Sequence, residues 1–431
     1  MKKVALIVDH PARDLDYISD IGLNLSKLGI KVYIVPSNMR HRELLLLSPD
    51  YVLYPNHRDT TTQEIRILNK INVDIGILET EQCVNENFYE EFQLPKKQIS
   101  RTHIKDFFVW GEYFSNICVS RKWYGKNQIK VIGSPKHDRY FTQKEEKIKK
   151  EYDILLATSF PNSNPLHGED VNRKMYKDLG MKISDIDSFI KLHKENSQNT
   201  VNFINEKLSN TELKVLLRIH PYEQNLEFYK KNIKGNNIKI DEGKDTIINS
   251  LNKSRILIHF NSTACIDSQA HNIPSINMSW MAQMKIFHES TEIMSLISYQ
   301  PKTENECMQL VQEIMDNKTK LKVENNSDKI KKYIFNFDGS SSKRCAKMIT
   351  LSLNSKTSDL NLHFNQKIFI KDFNLQSLIV SLILKYRWKK TRKHFDKFDI
   401  RNSLINTEPS IKLANPKKAG IDLTSVEFLE W

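Results

Sequence analysis

The amino-acid sequence predicts an α/β protein with two doubly wound parallel sheets and a C-terminal tail. Two series of short apolar runs alternate with amphipathic segments, which is the pattern of strands joined by crossover helices. Residues 142–151, which separate the two series, are nearly all charged or polar and cannot build a core. Residues 356–431 show no such alternation. We therefore predict two Rossmann-like domains, 1–145 and 152–355, with a cleft between them, and a tail at 356–431.

The first series predicts a sheet of parallel strands. Each apolar run is short enough for a strand, and Gly29 ends the first helical segment, where a left-handed residue is needed. The predicted strands are 4–8, 31–36, 51–54, 74–78, 106–110 and 128–132, and the predicted helices are 14–28, 42–47 and 61–71.

The second series has the same style. Its predicted strands are 152–157, 215–219, 238–240 and 256–260, and its predicted helices are 184–208, 246–252, 262–270 and 341–353, with a further element beginning at 275–277. The alternation favours a second sheet whose strands are parallel.

The net charge of +13 indicates an anionic partner, such as nucleic acid, an acidic lipid surface or an acidic substrate. Much of the excess is local, because residues 385–397 hold seven Lys and Arg but one Asp. Charge concentrated in the tail, rather than along the sheets, disfavours a nucleic-acid partner.

The tail contains a mostly apolar run, 375–384, directly before the basic segment. It is too short to span a bilayer, which requires about 20 apolar residues. Two alternatives stay open: the run lies on an anionic membrane surface with the basic segment against the headgroups, or it packs back on the protein.

The cysteines argue for a reducing compartment. There are five, with no CxxC pair, which disfavours both a disulfide framework and a zinc site. The apolar run 4–8 is too short for the core of a signal peptide. We expect a cytoplasmic protein, peripheral on the inner membrane if the tail binds there, with no metal site.

Polar residues follow two predicted strands of the second domain. Arg218, His220 and Pro221 end one strand, and the carboxyl ends of parallel strands are where open α/β sheets bind ligands. Arg and His are donors suited to an anion. A lone histidine after a strand is, however, more often structural.

The neighbouring strand ends at Ser262 and Thr263, which begin a predicted helix. Hydroxyls beside the free N–H groups of a helix N-terminus suit phosphate oxygens, although ordinary N-capping explains them equally. Asp267, one turn later, is within reach of a ribose diol. Together these residues predict a nucleotide site.

The first domain carries carboxylates in comparable positions. Glu79 and Glu81 follow a buried strand and point the same way, so either suits acid–base chemistry if burial raises its pKa, with an exposed loop carboxylate as the alternative. Asp138 follows a tight Gly-x-Pro turn. The substrate-binding or acceptor-binding candidates at strand ends and turns are His10, Arg13, Asp14, Glu79 and Lys136, of which Asp14 could equally be a helix cap.

No GxxxxGK[ST], GxGxxG, HExxH or GxSxG motif is present. The sequence therefore gives no support to the hypothesis of an ATP-driven enzyme, a dinucleotide-dependent enzyme, a zinc peptidase or an α/β-hydrolase.

Several short motifs, in order over residues 1–350, resemble those of bacterial surface-carbohydrate biosynthesis proteins. These are GT-B glycosyltransferases related to the retaining β-Kdo transferases. The segments that carry the resemblance are Arg13-Asp-Leu-Asp16, Leu78-Glu-Thr-Glu-Gln82, Phe108-Val-Trp-Gly111, Gly133-Ser-Pro-Lys-His-Asp138, Thr158-Ser-Phe160, Arg218-Ile-His-Pro221, Asn261-Ser-Thr263 with Asp267, and Phe337-Asp-Gly339 with Arg344. Gln82 departs from the family's pattern, which has glycine there, and so does Thr80, which replaces an acidic residue.

The resemblance implies transfer of Kdo or a related acidic sugar from a CMP donor to a surface polysaccharide or lipid-linked glycan, without a cofactor. The second domain would hold CMP and the first the acceptor. Glu81 would be the acid/base residue and Asp138 the nucleophile of a retaining transfer. Two alternatives stay open: a nucleotide-sugar 2-epimerase of the same fold, and a non-enzymatic protein that binds membrane or nucleic acid.

Overall fold

We describe a computed structural model of the chain. The residues that it describes are 1–9, 11–37, 40–80, 82, 86–96, 98–139, 149–178, 180–241, 246–282, 292–318, 327–355 and 427–429. They form two compact units, each built around a sheet. Unit 1 comprises the described residues of Met1–Gln82, Gln93–Thr142 and Lys331–Trp431, and unit 2 those of Cys83–Phe92 and Gln143–Ile330.

The sheet of unit 1 has strands β1 (Lys3–Val8), β2 (Lys31–Pro36), β3 (Tyr51–Tyr54), β4 (Asp74–Leu78), β5 (Asp106–Val109), β6 (Ile129–Val131) and β12 (Glu427–Leu429). Their order is β12-β2-β1-β3-β4-β5-β6, and all neighbours are parallel except β12, which is antiparallel to β2. The chain progresses in one direction from β1 to β2 and in the other from β3 onward. Such a reversal point is where open sheets leave a crevice.

The sheet of unit 2 has strands β7 (Tyr152–Ala157), β8 (Val215–Arg218), β9 (Ile238–Asp241), β10 (Ser254–His259) and β11 (Ser275–Asn277). Their order is β11-β10-β7-β8-β9, with every neighbouring pair parallel. The order reverses between β7 and β10, so the loops after these two strands diverge to opposite faces. The prediction of two parallel sheets is confirmed.

Helices connect the strands. In unit 1 they are Pro11–Lys27, Arg40–Leu47, Asp59–Lys70, Glu112–Ser120, Ser341–Asn354 and the 3₁₀ turns Gln98–His103 and Pro135–His137, together with Ser327–Tyr333, which runs into this unit. In unit 2 they are Glu169–Asp178, Ile183–Phe203, Leu226–Asn232, Ile247–Asn252, Ala264–Ala270, Glu292–Ile297 and Glu304–Met315, with the short helical stretch Glu86–Phe88 and the π-helical turns Tyr89–Gln93 and Ile204–Leu208. Among the described residues, no helix is long and apolar enough to cross a membrane. The tail runs 375–384 and 385–397 lie outside the described residues.

Helix Ser341–Asn354 belongs to unit 1, whereas the sequence analysis placed it in the second domain. Its buried residues Cys345, Ala346, Ile349 and Leu353 share the apolar core formed by β1, β2 and helix Pro11–Lys27. The chain therefore returns to the first sheet after completing the second. Local sequence patterns do not reveal this return, because an amphipathic helix shows that it has a partner but not which one.

Asp138 fixes the start of that returning helix. Its two carboxylate oxygens accept hydrogen bonds from the backbone N–H groups of Ser341 at 2.9 Å and Ser342 at 2.5 Å. A carboxylate at a helix N-terminus satisfies donors that the helix cannot pair internally. Burial raises the pKa of Asp138, and these two backbone hydrogen bonds oppose that rise. The structure thus gives the side chain a capping contact where the resemblance implied a nucleophile.

Gly133 permits the same segment to approach closely. Its φ is +86°, and a Cβ there would lie 2.5 Å from Ser341 Oγ and 2.6 Å from the carbonyl oxygen of Phe335. Arg344 then donates from Nε to the carbonyl oxygen of Ile132 at 2.7 Å. The Gly-x-Pro turn therefore serves the packing of residues 335–344.

We predict that Gly133→Ala destabilises unit 1 more than Gly29→Ala does. Gly29 has a similar φ, +79°, but no atom within 4 Å of an added Cβ. The control should therefore cost only the backbone strain, about 1–2 kcal/mol, and Gly133→Ala about 1–3 kcal/mol more for the steric conflict. Urea unfolding would measure both, and equal losses would contradict the packing role of Gly133.

Candidate functional site

The strand ends of unit 2 lie level with one another. Ala157 of β7 pairs with Arg218 of β8 on one side and with His259 of β10 on the other, and His259 pairs with Asn277 of β11. The residues that follow these strands therefore emerge at one edge of the sheet. The structure brings the predicted nucleotide-binding residues Arg218, His220, Pro221, Ser262 and Thr263 to that edge.

His220 is held in a defined tautomer. The backbone N–H of Tyr222 donates to its Nδ1 at 3.2 Å, so Nδ1 carries a lone pair and Nε2 carries the ring proton. Burial among protein atoms, with a smaller contribution from the Arg218 charge, lowers the pKa of His220 to about 4. The ring is therefore neutral at pH 7, yet the residue stays partly exposed. It offers a ligand an uncharged N–H donor.

Arg218 is engaged within the protein. Its Nη1 donates to Asp241 Oδ2 at 2.5 Å and to Ser250 Oγ at 3.2 Å, both in unit 2. Only 15% of its side chain is exposed. The ion pair with Asp241 offsets the guanidinium charge, so Arg218 stabilises the β8–β9 edge as well as bordering the predicted site.

Thr158 and Glu223 hold the backbone of His220 in position. The Thr158 hydroxyl accepts a hydrogen bond from the His220 backbone N–H and donates one to Glu223 Oε1, both at 2.9 Å. The Glu223 backbone N–H donates to the His220 carbonyl oxygen, also at 2.9 Å, and closes a turn. Sequence analysis noted Thr158 only within a motif and did not identify Glu223. The sequence signal that could have identified Glu223 is a carboxylate three residues after a histidine at the end of a strand.

The loop after β10 depends on a second histidine that the sequence analysis did not identify. His259 is fully buried, accepts from the Ser262 backbone N–H at Nδ1 (3.1 Å) and contacts Ser298 Oγ through Nε2 (2.9 Å). Asn261 has φ +43° and exchanges two hydrogen bonds with the Asn277 side chain. These contacts fix the turn that presents Ser262 and Thr263.

The two hydroxyls differ in their surroundings. Ser262 Oγ accepts from the Ala264 backbone N–H at 3.3 Å, whereas Thr263 is exposed and its side chain makes no capping hydrogen bond. Asp267, the residue predicted near a ribose, is only 2% exposed within helix Ala264–Ala270. The structure therefore places Thr263 at the surface of the edge and Asp267 beneath it.

In unit 1 the predicted residues form ion pairs. Arg13 binds Asp14 through Nε (2.6 Å) and Nη2 (2.9 Å), and Arg58 binds Glu79 through both terminal nitrogens (3.0 and 3.3 Å). Both carboxylates are fully buried. Lys136 is half-buried in the 3₁₀ turn Pro135–His137, and His10 and Glu81 lie outside the described residues.

The hydrogen bonds of Gln82 account for a glutamine at the position where the family's pattern has glycine. Its amide nitrogen donates to the carbonyl oxygens of Glu79 at 2.7 Å and Phe108 at 3.3 Å, and its oxygen accepts from the Trp110 N–H at 2.7 Å. The side chain thus joins the carboxyl ends of β4 and β5. A glycine could not make this bridge.

No protein-family model and no curated protein matches the sequence. Solved structures do match the fold. UDP-GlcNAc 2-epimerase from Methanocaldococcus jannaschii, in complex with UDP-GlcNAc and UDP, gives a TM-score of 0.54 at 14% identity over 81% of this chain and 99% of its own. The S. aureus MnaA–UDP co-structure gives 0.53 at 16% identity, covering 84% and 100%.

The wall teichoic acid polymerase TagF gives a TM-score of 0.50 at 11% identity over 83% of this chain and 90% of its own. The chain has the GT-B fold. That part of the resemblance is confirmed, and at these identities the likeness shows the fold alone.

The hypothesis of a glycosyltransferase that uses CMP-Kdo is wrong, and the similar structures overturn it. They include UDP-GlcNAc 2-epimerases, one of them in complex with UDP-GlcNAc and UDP. The physical reason for the error is that strand-end motifs such as Arg218-Ile-His-Pro221 are suited to holding a nucleotide. They carry no information on whether the sugar is transferred or epimerised.

We predict that His259 makes unit 2 sensitive to acid. Burial lowers its pKa from 6.5 to about 3, so the stability of the neutral ring is complete above pH 6.5 and is lost as pH falls toward 3. Against His259→Gln, the wild type should lose about 3 kcal/mol of unfolding free energy between pH 7 and 4. His167→Gln, an exposed control in the same unit, should leave the pH profile unchanged; matching profiles for both variants would refute the prediction.

Proposed function

We propose that this chain is a UDP-sugar 2-epimerase whose nucleotide binds at the carboxyl edge of the unit 2 sheet. The observation that carries the proposal is the neutral His220 ring, which bears its proton on Nε2 at the level of the loops following β7 and β10. The similarity in fold to a UDP-GlcNAc 2-epimerase solved with UDP-GlcNAc and UDP, and to MnaA solved with UDP, supports the choice of nucleotide and reaction.

The edge is suited to bind a diphosphate by hydrogen bonds rather than by net charge. His220 supplies an uncharged N–H donor, Thr263 an exposed hydroxyl and Ser262 a second hydroxyl. The Arg218 charge is offset by Asp241. A donor that is neutral before the ligand arrives requires little desolvation of charge.

Epimerisation at C2 would require that the C2 proton leave from one face of the sugar while its electron pair forms a C1=C2 bond and UDP departs from C1, and that UDP then add back to C1 as a proton returns to C2 from the other face. This exchange needs a group that accepts a proton and a group that donates one. Glu81, which follows β4 with Glu79, is our candidate for one of these groups on sequence grounds. Glu79 itself is less suited, because Arg58 holds both of its oxygens.

We predict that UDP-GlcNAc incubated with the protein in D₂O acquires deuterium at C2 and yields its C2 epimer. Proton NMR would follow both events, because exchange at C2 is specific to proton removal at that carbon. Glu81→Gln should lose the exchange while retaining UDP binding, and His220→Ala should lose both. An absence of C2 exchange in the wild type, with the protein folded, would overturn the proposal.

We further predict that UDP, and not CMP, raises the thermal unfolding temperature of the protein. A ligand at about 100 times its dissociation constant stabilises the folded state by about 2.7 kcal/mol. His220→Asn should reduce the shift, because it removes the imidazole N–H, while exposed His167→Asn serves as the matched control. Equal shifts with both nucleotides would refute the selectivity, and no shift with either would refute nucleotide binding.

A further inference from the structure

We propose that Glu223 is a positioning residue: through the Thr158 hydroxyl it holds His220 in the orientation that receives the nucleotide, and loss of its proton weakens nucleotide binding. The inference rests on the proposed function for the ligand, and it adds a residue that touches neither the nucleotide nor the sugar. Three observations support it: the hydrogen bonds around His220, the surroundings of the carboxyl group, and its location beneath the strand ends.

His220 is held at three points. Its backbone N–H donates to Thr158 Oγ1 (2.9 Å), its carbonyl oxygen accepts from the Glu223 N–H (2.9 Å), and its Nδ1 accepts from the Tyr222 N–H (3.2 Å). Because Thr158 Oγ1 accepts from His220, its own proton is directed to Glu223 Oε1 at 2.9 Å. Carboxyl group, hydroxyl and histidine backbone therefore form one closed circuit.

The same carboxyl oxygen joins two loops. Glu223 Oε1 also accepts from the backbone N–H of Phe160 at 2.5 Å, so it links the loop after β7 to the turn after β8. Its second oxygen faces Asn225 Nδ2 at 3.5 Å and the Tyr229 hydroxyl at 3.3 Å. Glu223 is 7% exposed, so water contributes little to holding it.

The surroundings of Glu223 bring its ionisation close to neutral pH. Burial raises the pKa of the carboxyl group to about 7, opposed by hydrogen bonds from Phe160, Thr158, Asn225 and Tyr229. Tyr229 is the titratable group among these contacts, and burial raises its pKa far above this range. His220, on the adjoining turn, is already neutral here because its pKa is about 4.

Ionisation of Glu223 changes the buried charge beneath the proposed nucleotide site. The protonated carboxyl group is neutral, whereas the carboxylate places a buried negative charge two hydrogen bonds from the His220 backbone. Charges separated by protein rather than water are weakly screened. A polyanionic nucleotide should therefore bind more weakly as pH rises through about 7.

The decisive comparison is UDP affinity from pH 6 to 8.5 in the wild type and in Glu223→Gln. Glutamine keeps an oxygen for Thr158 and Phe160 but cannot ionise, so the ratio of the two dissociation constants cancels the titration of UDP itself. We expect the wild type and Glu223→Gln to bind UDP equally at pH 6. At pH 8.5 the wild type should bind UDP at least about fivefold more weakly than the variant. A ratio that stays constant over this range would overturn the ionisation part of the proposal.

Thr158 tests the positioning part. Thr158→Val removes the hydroxyl at constant shape and should weaken UDP binding about fivefold or more, whereas Thr158→Ser keeps the hydroxyl and should rescue it. Wild-type affinity in Thr158→Val would overturn the positioning role. The folded state of each variant would be checked by its thermal transition, and if Thr158→Val fails to fold, the pH response of the His220 ring nitrogens, described next, tests the coupling instead.

A nucleotide-free measurement separates this inference from the proposed function. With ¹⁵N-labelled histidine, the His220 ring nitrogens, assigned by their absence in His220→Asn, should shift between pH 6 and 8.5 in the wild type and not in Glu223→Gln. If UDP fails to bind while these shifts appear, the proposed function fails and the coupling of Glu223 to His220 stands. If UDP binds and the ring nitrogens do not respond, the coupling fails alone.

Discussion

The parallel register of β7, β8 and β10 is the constraint on which the candidate site depends. Because Ala157 is paired on both sides, with Arg218 and with His259, the loops after three separate segments of the chain begin at one level. A slip of one residue in any pair would turn its alternating side chains to the other face. Both faces of these strands are buried and apolar, with Ile154 and Ile258 on one face and Leu155 and Leu257 on the other, so the close packing of side chains of different size opposes that slip.

Most of the architecture could be predicted from the sequence, because strand-length apolar runs report burial directly. Strands β2, β3, β4 and β7 have the predicted bounds, and the helix predicted over 184–208 exists as Ile183–Phe203 with a π-helical turn after it. Helix Glu169–Asp178 was not predicted, because its sequence does not report burial. None of its residues is buried, and its three apolar residues, Val171, Met175 and Tyr176, stand among charged ones and form too short a pattern to identify a helix.

The candidate site was less predictable, because a side chain's role depends on its partner and the partner is distant in sequence. The sequence predicts that Asp138 and Glu79 are both available to a substrate, because one follows a turn and the other a strand. Asp138 instead caps a helix that begins two hundred residues later, and Glu79 lies under Arg58. Nothing local distinguishes a carboxylate that meets substrate from one that meets a guanidinium or a helix N-terminus.

The two strand-end histidines of unit 2 show how one local arrangement leads to different roles. In both, a backbone N–H two or three residues later donates to Nδ1, which leaves the proton on Nε2. The Nε2 of His259 is turned inward to Ser298, so its donor is consumed in holding the 260–263 loop. His220 sits on a turn that leaves the residue partly exposed. Exposure, set by the turn after β8 and not by residue type, therefore makes His220 the histidine that can meet a ligand.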